Sequence, residues 1–234
     1  MFIKIFFRAF FLWLSLEPLY TTAQSNLTCN INDTLLINVF KQSKGYNNCS
    51  SIALIKAAMG TFGISALYKQ SFTADSNSIV FTLRNREVVT VERKEIHFSV
   101  MNNGFIALHD RIKSIADTCF AIMCKKQQLK DSSNFEAAVV KLNSGYITLN
   151  IASLLGVGFK RINGTSIKTL SKFKHIVVYN YYHAAYSSKG MYDESVSKRG
   201  MERLRNFKWN HLAKEYTYIS DLCDIKEGLE IIDL

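Results

Sequence analysis

The chain has 234 residues, 48% hydrophobic and 21% charged, with a formal charge of +10. A chain of that length and apolar content can bury one domain-sized core, and its composition excludes an intrinsically disordered polymer. Its 11 glycines show no period and no heptad is sustained, which excludes collagen-like and coiled-coil chains.

Residues 1–23 read as an export signal. Lys4 and Arg8 form a basic start, Ala9–Leu16 an apolar run, and Thr21-Thr22-Ala23 a small-residue cleavage point before Gln24. The run of eight residues is far short of the roughly 18 needed to span a bilayer. An uncleaved anchor and a buried N-terminal helix are the competing readings. Cleavage would make the protein secreted or periplasmic, with residues 24–234 as a single domain. Export also bears on the five cysteines, Cys29, Cys49, Cys119, Cys124 and Cys223. In an oxidising compartment four of them can pair as two disulfides, leaving one thiol that parity does not identify. Several buried, unpaired cysteines are the plainer alternative. No pair has C-x-x-C spacing, and Cys119-x4-Cys124 is a weak ligand pattern, so no metal or cofactor is expected.

Beyond the signal, Leu35–Phe40 is an apolar stretch and Ser43–Asn48 has turn chemistry. Cys49–Met59 reads as a helix. It is apolar after Ser51 except for Lys56, so it belongs at the centre of the domain, with Gly60 and Gly63 expected to end it. Ile79–Leu83 and Glu87–Val91 form an expected hairpin around Arg84-Asn85-Arg86, and Glu95–Val100 a further strand. Ile106–Lys126 has helical periodicity through Ile112, Ile115, Ala116, Cys119, Phe120 and Met123. Phe135–Leu142 and Ile147–Leu155 are two more helices, the second stopped by Gly156 and Gly158, and Ile167–Phe173 is a short one. Ile176–Tyr182 is the strongest strand, followed by Tyr216–Asp221 and Leu229–Ile232 around Lys226-Glu227-Gly228. Helices first and strands last give an α+β fold, a helix-rich N-terminal half packed on an antiparallel sheet.

Cys49 lies where a turn meets the N-terminus of that buried helix. Free N–H groups and the helix dipole there stabilise a thiolate, which raises nucleophilicity near neutral pH. A small residue starting a core helix would give the same pattern. A cysteine hydrolase also needs a base, a group to orient it and oxyanion donors. Gln42, seven residues upstream, could supply one donor beside the Cys49 backbone N–H.

The stretch Gln42-Ser-Lys-Gly45-Tyr-Asn-Asn48-Cys49-Ser-Ser-Ile-Ala-Leu resembles the Q-G-x-x-G-D-C motif and following helix of the calpain-like branch of the papain-like cysteine peptidases. Phe135–Leu155 with Gly156 is similar to that family's two helices around a K-L-N-G-S-Y-like segment. Here one extra residue separates Gln42 from Cys49, and Asn48 stands in place of Asp. The resemblance implies a papain-like fold and offers two bases. In one alignment His183-Ala-Ala-Tyr186 matches H-A-Y, and Arg205-Asn206-Phe-Lys-Trp209 matches R-N-P-W without its proline. Asn206 is then the orienter, 23 residues after His183. In the other, His211 precedes the strand Tyr216–Asp221, and the orienting Asn would fall beyond Leu234. That version implies a weak enzyme, a substitute partner or a pseudoenzyme. Both histidines also have ordinary readings as packing or solvated residues. His97, His109 and His175 have no motif context, and His109-Asp110 suits a helix start.

Other chemistries find little support. There is no P-loop and no H-E-x-x-H, and Gly156-x-Gly158 lacks the third glycine of a dinucleotide loop. Asn26, Asn32, Asn48 and Asn163 fit the N-glycosylation pattern. Residues 160–215 carry 12 Lys or Arg against 4 Asp or Glu, with no basic run longer than two. A solvated basic face explains that, and no nucleic acid is expected.

Three functions follow. The first is a secreted, monomeric cysteine peptidase acting on peptide or protein substrates, with the basic segment favouring acidic ones. Its site residues are Cys49, His183 or His211, Asn206 and Gln42. The second is an inactive exported binding protein of the same fold. The third is a peripheral protein held on an anionic surface by its basic charge.

Overall fold

A computed structural model describes residues 40–107, 109–145, 151–163, 167–179, 183–193, 201–203 and 215–220. Residues 1–23, Cys29, Cys223, Asn206, His211 and the expected strand Leu229–Ile232 lie outside them.

The molecule is mixed α+β. A helix, α1 (Cys49–Phe62), follows the short strand β1 (Phe40–Gln42). Alanines and leucine favour this helix, and residues Cys49 to Met59 are all buried, Lys56 included. The expected end at Gly60 is corrected. Gly60 lies within α1, where a Cβ would come 2.1 Å from His175 Nδ1. Gly63 closes the helix at φ +86°, its N–H donating to the Met59 carbonyl.

β2 (Gln70–Thr73), β3 (Ser78–Thr82) and β4 (Val88–Glu92) form a three-stranded antiparallel sheet. The β3–β4 turn falls where the sequence places it, with Arg86 at φ +69°. The expected strand Glu95–Val100 is instead helix α2 (Arg93–Asn102). A capping box decides it, because Glu95 accepts from the Glu92 N–H at 2.9 Å while the Glu92 side chain accepts from the Glu95 backbone.

β5 (Phe105–Ala107) pairs with β1, so Ile106 opens a strand and not the following helix. That helix, α3 (Asp110–Asp131), begins four residues later than expected. It buries Ile112, Ala116, Cys119, Phe120 and Met123 as its periodicity predicts. Phe120 packs edge-on against Phe105 at 5.3 Å, and Phe105 lies 5.4 Å from Phe40. Cys119 and Cys124 are buried free thiols, so the two-disulfide arrangement is corrected. Both sit on α3 in the packed interior, where they act as small apolar residues. Burial alone pushes the Cys119 thiol up to about 12. α4 (Phe135–Asn143) starts with Asn134 Oδ1 accepting from the Ala137 N–H at 2.7 Å, and α5 (Ile151–Leu154) precedes the C-terminal sheet.

That sheet has six antiparallel strands in the order β10-β9-β8-β7-β11-β6. They are β6 (Gly158–Asn163), β7 (Ile176–Tyr179), β8 (Ala184–Ser188), β9 (Met191–Asp193), β10 (Met201–Arg203) and β11 (Glu215–Ser220). A short helix, α6 (Ile167–Leu170), links β6 to β7. The central helix α1 lies against β8. Every residue of β8 is buried, with Ala184 and Tyr186 in the main core and Ala185 in a smaller cluster with Ile176, Val178 and Tyr192. The expected α+β class therefore holds, with two small sheets, β1–β5 and β2–β3–β4, in the N-terminal half among its helices.

Candidate active site

Cys49 is the first residue of α1 and is 5% exposed. Asn48 precedes it at φ −99°, ψ 28°, a non-helical N-cap whose carbonyl accepts from Ile52 at 3.1 Å. The Asn48 side chain does not cap the helix. Its Nδ2 donates to the Asn103 carbonyl at 2.6 Å and to Asn143 Oδ1 at 2.9 Å. Asn103 in turn donates to Asp117 at 2.7 Å, and Asn143 to the Asn102 carbonyl at 2.7 Å. These bonds fix the turn before Cys49 to the ends of α2 and α4 and to the side of α3. An amide that is 1% exposed and whose Nδ2 donates two buried hydrogen bonds has no room for a glycan, so the Asn48-Cys-Ser50 pattern is closed as a modification site.

His183 immediately precedes β8, and its side chain hydrogen-bonds that of Cys49. Burial, the largest influence on the Cys49 thiol, pushes it up. The His183 hydrogen bond and charge, the Ala184 backbone N–H and the Ser50 hydroxyl together outweigh it and hold the thiol below its ordinary value. The Cys49 position at the start of α1 adds the partial positive charge of a helix N-terminus. The arrangement is a buried, activated thiol beside a histidine able to take up and return its proton.

Gln42 lies in β1 and is 8% exposed. Its Nε2 donates to the Tyr46 carbonyl, and its Oε1 has no partner among the described residues. One amide hydrogen therefore holds the turn, and the other is the one an oxyanion role would use. Asn206 and His211 lie outside the described residues. Among the remaining histidines, His97 is exposed on α2, and His109 stands at the N-cap of α3 without a side-chain cap bond. His175 meets Tyr186 OH at 2.7 Å and packs over Gly60.

Sequence reasoning missed the Ala184 N–H, the asparagine cluster around Asn48, and the partner of Lys56. Lys56 donates to Asp193 on β9 and stands 5.0 Å from the centre of the Phe40 ring. Burial pushes its ammonium below the usual range, Asp193 opposes that, and the charge of Lys41 adds to it. The lone lysine in an apolar helix was the available signal, since a buried charge requires a partner.

Two surface grooves, of about 260 and 380 Å³, adjoin each other at Ile96, Val100 and Thr118, and Cys49 lines neither. Among the described residues no group of three or more His, Cys, Asp or Glu could hold a metal ion, and no helix is long and apolar enough to cross a membrane. Comparison with protein-family models, curated proteins and solved structures finds no match. The site is therefore read from its own geometry.

Proposed function

We propose that this protein is a calpain-like cysteine peptidase of papain-like fold, exported from the cell, with Cys49 as nucleophile and His183 as base. The observation that carries the reading is the hydrogen bond between Cys49, at the N-terminus of a buried helix, and His183, at the start of the strand packed against it. In this reading the Cys49 thiolate attacks a peptide carbonyl carbon, forming a tetrahedral oxyanion. The Cys49 backbone N–H and the second Gln42 hydrogen stabilise that oxyanion. His183 gives its proton to the leaving amine, and the acyl-enzyme is released by water that His183 deprotonates. Asn206 is the proposed orienter of His183. His211 is the alternative base of the sequence reading, and the described geometry favours His183. The basic residues between 160 and 215 favour acidic peptides.

The experiment is incubation of the reduced protein with a mixed peptide library, followed by mass spectrometry of new termini. Cleavage by the wild type that is abolished in Cys49→Ala is expected. Equal product from both proteins would refute the assignment. The second reading is a non-catalytic binding protein of the same fold, and the near-complete burial of Cys49 favours it. It predicts no product from either protein and an unchanged partner for Cys49→Ala.

A further inference from the structure

We infer that the buried Lys56–Asp193 ion pair is a positioning device that sets the register of α1 against the β8–β9 hairpin, and so brings Cys49 onto His183. This inference rests on the proposed Cys49–His183 chemistry.

The geometry matches at both ends. Cys49 and Lys56 are seven residues apart on α1, which places them on one helix face and about 10 Å apart along the axis. His183 stands just before β8, three residues ahead of Tyr186 and at most about 10 Å from it along the chain, and lying outside the strand it is not bound to the strand's alternation of faces. Tyr186 is the register partner of Asp193 on β9, and cross-strand partners share a face. Helix and hairpin are thus joined at two points of comparable spacing. One is the Cys49–His183 hydrogen bond, and the other is the ion pair two helical turns deeper.

The chemistry of the second point singles it out. Lys56 is fully buried in a helix whose neighbouring positions, Ile52, Ala53, Leu54, Ile55, Ala57 and Met59, are apolar and buried. An apolar side chain there would give equal or greater stability, because desolvating two charges costs about as much as their attraction returns. A charged pair adds direction. Apolar contacts tolerate a slide between helix and sheet, whereas an ammonium held by one carboxylate does not. A thiol–histidine hydrogen bond is lost after a slide of about 1 Å, so the alignment matters most at the far end of the same two elements.

The test compares Asp193→Asn, Lys56→Met and the double variant Lys56→Met/Asp193→Leu, using the full chain under reducing conditions. Thermal unfolding reports folding, and the pH profile of Cys49 alkylation by iodoacetamide reports alignment. Among the described residues the groups that act on the Cys49 thiol are His183 and the Ala184 N–H from β8 and its approach and Ser50 on its own helix, and all variants keep the three. The double variant should fold with a melting temperature at or above that of the wild type. Its alkylation near pH 6 should nevertheless fall severalfold, because a misaligned His183 no longer holds the thiol below its ordinary value. A folded double variant with the wild-type profile would overturn the positioning role while leaving the Cys49–His183 assignment intact. A wild-type protein with no reactive limb at low pH would overturn that assignment, and the positioning role with it.

Discussion

Replacing His183 by alanine tests the activation of Cys49 at its source. In the wild type the largest influence on the thiol is burial, which disfavours the thiolate, and His183 is the chief opposing group. Without the ring, the Ala184 N–H, the Ser50 hydroxyl and the start of α1 remain against burial but its chief opponent is gone, so the thiol moves upward. The thiolate is the reacting species, and a lowered pKa extends its presence to lower pH. His183→Ala should therefore move the rising limb of the alkylation profile to higher pH. An ordinary thiol near 8.5 is about 1% ionised near pH 6.5, and a tenfold stronger or weaker acid is ionised about tenfold more or less there. Iodoacetamide alkylation of Cys49, followed by mass spectrometry, should slow by about tenfold or more near pH 6 and converge with the wild type at alkaline pH. Peptide turnover, which also needs the proton transfer, should fall by roughly 10²–10⁴. Superimposable alkylation profiles from about pH 5 to 9 would refute the reasoning, because the thiol would then owe nothing to His183.

Other perturbations have outcomes of comparable definition. Phe120→Ala removes a fully buried ring packed edge-on against Phe105 and should cost about 3–5 kcal/mol in urea unfolding. Gly60→Ala, which usually stabilises a helix interior, should here lower stability by about 1–3 kcal/mol, because its Cβ meets His175 Nδ1 at 2.1 Å. The same substitution in a His175→Ala background should be neutral or stabilising. Cys119, held at about 12 in the fold, ionises near 8.5 when unfolded, so its contribution is lost as pH rises through that window. Between about pH 8.5 and 10 the wild type should lose about 2 kcal/mol more stability than Cys119→Ala under reducing conditions. Asn48→Ala removes two buried hydrogen bonds, to Asn103 and Asn143, and should cost about 2–3 kcal/mol by thermal unfolding.

Local pattern identified the elements whose burial is one-sided or complete. The helix at Cys49, the hairpin at Arg84–Arg86 and the strand at Ile176 were all legible, because their apolar runs are long and continuous or have the right period. The segment Glu95–Val100 was misread because six residues of mixed polarity fit either period, and the deciding contact is the reciprocal bond between Glu92 and Glu95. β8 was not anticipated. Its Ala-Ala-Tyr-Ser-Ser sequence has little strand propensity, and its small residues suit close approach by α1 instead. Gly60 looked like a helix stop because its role is to admit His175, 115 residues away in sequence.

The candidate site divides in the same way. Cys49 was recognisable from its own surroundings, a turn followed by a buried helix. His183 was one of two bases that motif order allowed. Its pairing with Cys49 is a tertiary contact that no local pattern encodes, and His211 lies outside the described residues. Lys56 announced a partner without naming it, since Asp193 lies 137 residues further along the chain. The disulfide expectation failed for a related reason. Cysteine parity carries no information about burial, and α3 places both Cys119 and Cys124 in the interior.

The most direct measurement is time-dependent labelling of the reduced protein by a peptidyl epoxide, with the modified residue located by mass spectrometry. The account predicts label on Cys49 and not on buried Cys119 or Cys124, at a rate above that of the unfolded protein and lost in His183→Ala. Labelling of Cys49 no faster in the folded protein than in the unfolded one would contradict it.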